Sequence, residues 1–252
     1  QTDAVITANF DKTKIDISGN IVPAKQYAFS ESNFRYSSAS LFASGFTQPS
    51  PAFFELLNEA GKGKISTVLN VNMDSVFKQS NKNYSLDLAA IVQRTDSAIT
   101  YTYDDEFNKI EKVVVNKIQE PAFNFMITGD SVSTIFKHLQ QNKKLEQTAA
   151  GNLFTPMPLV KSYCSIKSEN QLAITASNYI SPTEDKSVNA ILFLNLAITK
   201  IPANLQKYLP DAVMQAISNL AAAKVSATKN NEQVKLSAVF EKKDNDLPLI
   251  KF

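Results

Sequence analysis

The sequence predicts an α+β protein, a mainly antiparallel sheet built from β-hairpins with helices packed on one face. Three observations predict it. Apolar residues alternate with period two on both sides of short polar turns. Capped amphipathic stretches separate these hairpins. The words Asp74-Ser75-Val76 and Asp130-Ser131-Val132 each stand where an apolar run stops and a helix should start, which suggests an internal strand–helix–hairpin repeat.

The first hairpin sets Ala4, Ile6, Ala8 and Phe10 against Ile15 and Ile17 across Asp11-Lys12-Thr13. The second runs Ile99, Tyr101, Tyr103, turns through Asp104 to Asn108 and returns over Ile110 to Asn116. The third joins Cys164 and Ile166 to Leu172, Ile174 and Ala176 through Ser168-Glu169-Asn170. The last leads from Val225 and Ala227 to Val234, Leu236, Ala238 and Phe240. One apolar face per hairpin implies antiparallel sheet. Ser50-Pro51 opens a helix that Gly61 can close. Asp130 or Ser131 caps another, with Val132, Ile135, Phe136 and Leu139 on one stripe. A third helical region starts near Pro202 and restarts at Pro210, where proline breaks the ladder. The strands expected to lead into helices are Ile65 to Met73, Phe123 to Thr128 and Val188 to Ile198. Ser30 to Ser50 and Leu145 to Val160 read as irregular. The expected organisation is one domain, or a packed repeat array with units 1–64, 65–121, 122–187 and 188–252, within a longer protein.

Composition narrows the function. A formal charge of +2 gives no electrostatic claim on nucleic acid, and only Arg35 and Arg94 supply the bidentate guanidinium that reads phosphates and guanine. Cys164 is the only cysteine, so neither an internal disulfide nor a multi-cysteine metal site can form. No run of 18 apolar residues spells a transmembrane segment.

Catalytic vocabulary is sparse. His138, the only histidine, lies off the apolar stripe of its helix, which points it to solvent and away from any triad. Ser75-Val76-Phe77-Lys78 matches the Ser-x-x-Lys of serine β-lactamases, and Ser168-Glu169-Asn170 imitates a second motif. Chance alone supplies about two such tetrads, and two are present, the other being Ser226 to Lys229; no Lys-Thr-Gly follows. Asp104-Asp105-Glu106 sit side by side, without the alternating spacing of a calcium loop, and read as a solvated turn. Asn83-Tyr84-Ser85 matches a glycosylation acceptor. Sixteen Phe and eight Tyr are many, and the serine-aromatic stretch from Phe29 to Phe54 is where they crowd into a candidate contact surface or cavity cover.

With the two Asp-Ser-Val junctions, a Lys/Asn/Ser-rich and Arg-poor surface, and the hairpin-like end Ala223 to Lys243 with its charged tail, the chain resembles envelope proteins of Bacteroidetes. Among these it is similar to lipoprotein families of unassigned activity built from tandem strand–helix–hairpin units. The resemblance implies a periplasmic or cell-surface location and an upstream lipid anchor, and it transfers no site residues. The resulting expectation is a non-catalytic envelope protein that binds a protein partner or serves surface assembly. It has no catalytic, cofactor-binding or metal-binding residues and no cofactor. A carrier of lipid or another apolar ligand is the alternative, and a hydrolase with an unrecognised carboxylate site comes third.

Overall fold

The computed structural model describes residues 4–22, 30–47, 82–130, 132–155, 160–181, 185–206, 217–230 and 233–243. Strand occupies 69% of these residues and helix 9%, which corrects the α+β expectation: the described residues are nearly all antiparallel sheet. All four expected hairpins form. They are β1 (Ala4–Phe10) with β2 (Lys14–Ile21), β5 (Lys82–Tyr103) with β6 (Lys109–Gly129), β9 (Ser162–Ser168) with β10 (Gln171–Ala176), and β13 (Leu220–Asn230) with β14 (Gln233–Lys242). Further strands stand where the sequence reads as irregular. These are β3 (Ser32–Ser37) and β4 (Phe42–Phe46) in the serine-aromatic stretch, and β7 (Leu145–Thr148) and β8 (Gly151–Phe154) after the helix.

Among the described residues only α1 (Val132–Gln141) is a helix of several turns. It carries the expected stripe, with Val132, Ile135 and Leu139 buried, and ends where Lys143 turns left-handed (φ 53°) and the Lys144 N–H donates to the Leu139 carbonyl at 2.9 Å. Near Pro202 the described residues form a 3₁₀ turn, Ile198–Lys200, and α2 (Ala203–Gln206), and residues 207–216 lie outside them. The helix opening at Ser50, the strand Ile65 to Met73, the Asp74-Ser75-Val76 junction and the restart at Pro210 lie outside the described residues.

Two expected strands are drawn differently. Val188 to Ile198 is broken at Ile191 into β11 (Asp185–Ala190) and β12 (Leu192–Ala197), which join different sheets. The break is fixed by backbone bonds at Ile191, whose N–H donates to Ala227 and whose carbonyl accepts from Thr47, each at 2.8 Å. Phe123 to Thr128 is continuous with the second hairpin, because β6 runs straight through Pro121. Pairing with β10 begins only at Asn124, so β6 is an edge at that point, and an edge admits proline.

Twelve strands form one sheet in the order β1-β2-β14-β13-β12-β4-β5-β6-β10-β9-β8-β7, and β11 pairs with β3 in a small second sheet. The register sorts the side chains. One cross-strand row runs Ala8, Ile17, Ala238, Val225, Leu194, Ser44, Leu86, Phe125, Ile174, Cys164. The next runs Asp16, Val239, Lys224, Asn195, Ala43, Asp87, Asn124, Thr175, Tyr163. Successive residues of a strand point to opposite faces, so the sheet has one apolar face and one mainly polar face.

The apolar face is covered by α1, whose stripe packs on Tyr84, Ile127, Cys164 and Leu172. On the polar face the β3–β11 ribbon covers a local apolar island, Phe34 and Ala190 closing over Ala43 and Phe193. Elsewhere that face uses hydrogen bonds: the Thr175 hydroxyl donates to Asn124 Oδ1 at 2.8 Å, and the Tyr179 hydroxyl to Asp87 Oδ2 at 2.7 Å. Among the described residues no helix is long and apolar enough to cross a membrane.

Candidate interaction surface on the long hairpin

The neighbours of β5 and β6 are much shorter than they are. β4 pairs with β5 only from Tyr84 to Leu88, and β10 pairs with β6 only from Asn124 to Thr128. The hairpin itself stays paired from Lys82↔Gly129 to Tyr103↔Lys109. Beyond Leu88 the two strands therefore leave the sheet as a two-stranded arm, with no further strand of the described residues paired to either edge. A bulge between Leu88 and Ala90 marks the exit, and the Leu41 N–H donates to the Ala89 carbonyl there at 3.2 Å.

The bulge adds one residue to β5, so odd-numbered residues beyond it share a face with Tyr84, Leu86 and Leu88 before it. On β6 the same face carries Phe123, Phe125 and Ile127 at the root. The arm thus continues the apolar face of the sheet. Its levels read Ile91/Pro121, Gln93/Gln119, Thr95/Lys117, Ser97/Val115, Ile99/Val113, Tyr101/Glu111 and Tyr103/Lys109. At the outer levels none of the described residues covers this face: Ile99 is 58% exposed, Val113 63%, Val115 58% and Tyr103 66%. The Lys109 ammonium sits 3.5 Å from the Tyr101 ring centroid, a cation–π contact that holds the outer end of the stripe. The other face is mixed: it carries Asp96/Asn116, Ala98/Val114, Thr100/Lys112, Thr102/Ile110 and Arg94/Ile118, with the Arg94 Nε 2.7 Å from Glu120 Oε1.

The tip is organised by Asp104. Its Oδ1 accepts the backbone N–H groups of Glu106 at 3.0 Å and Asn108 at 2.7 Å, and the Asn108 side-chain amide donates to Oδ2 at 3.1 Å. These donors, the Asn108 backbone N–H first, hold the Asp104 carboxyl below its usual range. The turn sets Phe107 in the left-handed region (φ 63°) with its ring 85% exposed, a conformation disfavoured for a bulky residue. Asp104-Asp105-Glu106 is thus a hydrogen-bonded turn, and among the described residues no three His, Cys, Asp or Glu side chains converge as a metal site. Because a depressed folded-state pKa stabilises above the unfolded value, the turn keeps this contribution at neutral pH. It loses it as pH falls through the depressed folded-state pKa. Hydrogen exchange at Glu106 and Asn108 should therefore accelerate on acidification relative to the intrinsic rate, and Asp104→Ala should show the accelerated exchange already at pH 7.

The other singled-out residues are scattered. His138 is exposed on α1, off the buried stripe. Cys164 is fully buried across the sheet from Ile174, and burial pushes its thiol up to about 12. A thiol-reactive dye should leave the native protein unlabelled at pH 8 and label it once denatured; rapid native labelling would contradict this placement. Ser168 ends β9, Glu169 and Asn170 form the β9–β10 turn, and Ser226 lies mid-strand in β13, paired with Phe193. Ser75 to Lys78 lies outside the described residues. Asn83 is in β5, its side-chain amide donating to Ser32 Oγ at 2.9 Å. Of the crowded aromatics read as a contact surface or cavity cover, Phe34 is buried against Phe193 with ring centroids 5.4 Å apart and Phe46 stacks on Tyr84 at 5.0 Å, while Phe29, Phe53 and Phe54 lie outside the described residues. Of the exposed aromatics, Phe10 lies on β1, and Tyr101, Tyr103 and Phe107 lie on the arm, where alternation alone cannot say whether a face is covered. No protein-family model, curated protein or solved structure matches the chain.

Proposed function

We propose that this protein is a non-catalytic binding and assembly protein of the bacterial envelope that holds a protein partner on the apolar face of the β5–β6 arm. One observation carries the reading: an uncovered apolar stripe on a ribbon that projects beyond the sheet. A two-stranded ribbon alone is marginally stable in water, and a contiguous exposed apolar patch marks an interaction surface. The envelope location rests on the resemblance and on the lysine-rich, arginine-poor composition. Between α1 and the sheet, Tyr84, Val132, Cys164 and Leu172 are each at most 2% exposed. The chain's own side chains fill that layer, which favours an outer binding surface over a carrier's interior.

Replacing Ile99 and Val113 together by Ser removes the middle of the stripe while touching no core residue. The variant should keep the wild-type melting temperature and, in extracts of the source cells, elute by size exclusion at a smaller size than the wild type. Unchanged elution beside an unchanged melting temperature would count against the arm as the binding surface.

A further inference from the structure

Taking the arm as the binding surface, we infer that its partner is a second copy of this chain, docked face to face through the same stripe with the strands antiparallel. The argument is self-complementarity. A two-fold axis lying between the two arms, perpendicular to the strands and midway between the Val113 and Val115 levels, sets β6 on β6 of the second copy. Val113 then meets Val115 of the other molecule, twice. Glu111 lies three residues before the axis and Lys117 three after it, so each copy's exposed Glu111 faces the other's exposed Lys117. The tip, with Phe107, comes level with Ile91 and Pro121 at the other arm's root. Glu111 and Lys117 thus fall at equal distances on opposite sides of the centre, as a two-fold contact needs, while Lys109, held over the Tyr101 ring, comes level with the uncharged Gln119 of the other copy.

Size agrees with a reversible contact. The paired levels from Lys109 to Pro121 span roughly 40 Å at about 3.4 Å per residue, and two strands present a face about 10 Å wide. Closing two such faces removes roughly 800 Å² in total, the size of a weak, transient contact.

Charge reversal tests the pairing on the full chain by sedimentation velocity. Wild type should pass from monomer to dimer with rising concentration. Glu111→Lys alone sets lysine against lysine at both symmetric contacts, Lys117→Glu alone sets glutamate against glutamate, and each should weaken dimerisation about tenfold. The double variant Glu111→Lys/Lys117→Glu restores opposite charges and should recover the dimer. An equimolar mixture of the two single variants should also recover it, because a heterodimer pairs both sites correctly. A dimer indifferent to the reversals overturns the inference. A wild-type chain that stays monomeric at several hundred micromolar also overturns it, and the Ile99→Ser/Val113→Ser comparison in cell extract then separates two cases. An arm-dependent complex with a different protein keeps the arm as the binding surface, whereas no arm-dependent complex removes both readings.

Discussion

Tyr84→Ala is expected to destabilise the protein by about 3–5 kcal/mol, the cost of truncating a buried aromatic and leaving a cavity. Tyr84 is 2% exposed at the junction of β4, β5 and β6, where its ring stacks on Phe46 at 5.0 Å and lies 6.4 Å from that of Phe125. It packs in the same cluster as the α1 stripe and Leu172. Burial also pushes its phenol up to about 12, so the hydroxyl stays neutral throughout the physiological range. The variant should unfold at a clearly lower urea concentration, and the base of the arm should lose hydrogen-exchange protection before the β13–β14 hairpin does. A loss below about 1 kcal/mol would mean that this cluster does not anchor the arm.

Gly45→Ala is the second large effect, and it acts on the other face of the sheet. A Cβ at Gly45 would lie 2.5 Å from ring atoms of both Phe34 and Phe193. Both rings are buried in the island under the β3–β11 ribbon, so neither can swing into solvent without uncovering the other. Overpacking of this kind costs about 1–3 kcal/mol, more than the strand-forming gain of alanine over glycine returns. Equilibrium unfolding checks it, and a compensating Phe34→Leu in the same chain should recover part of the loss, because residues in contact are not additive. Full additivity would place the clash elsewhere.

Much of the fold was written in local periodicity. The α1 stripe at Val132, Ile135, Phe136 and Leu139 admits no strand reading, and the four hairpins show polar turns between alternating runs. The helices expected to cover one face did not make this an α+β protein, because Ser32 to Phe46 and Leu145 to Phe154 also pair as strands. Their sequences hide it: five serines interrupt Ser32 to Phe46, and β4 divides its apolar residues between the two faces of the large sheet, Ala43 under Phe34 and Phe46 towards the cluster beneath α1. The length of the arm was hidden for a different reason. Ile99 to Asn116 reads as a hairpin, yet nothing local states that β4 and β10 stop pairing after a few residues. Ile99, Val113 and Val115 look like core for that reason, and only the register shows that no strand or helix of the described chain covers them.

The most direct measurement is site-specific photo-crosslinking in the source cells, with the photoreactive residue placed at Val113 on the apolar face or at Lys112 on the opposite face. The account predicts a covalent adduct from position 113 and none from position 112, its mass twice that of the chain. An adduct of another mass from position 113 would keep the surface and change its partner. Equal labelling from both faces, or none from 113, would contradict the assignment of this face as the binding surface.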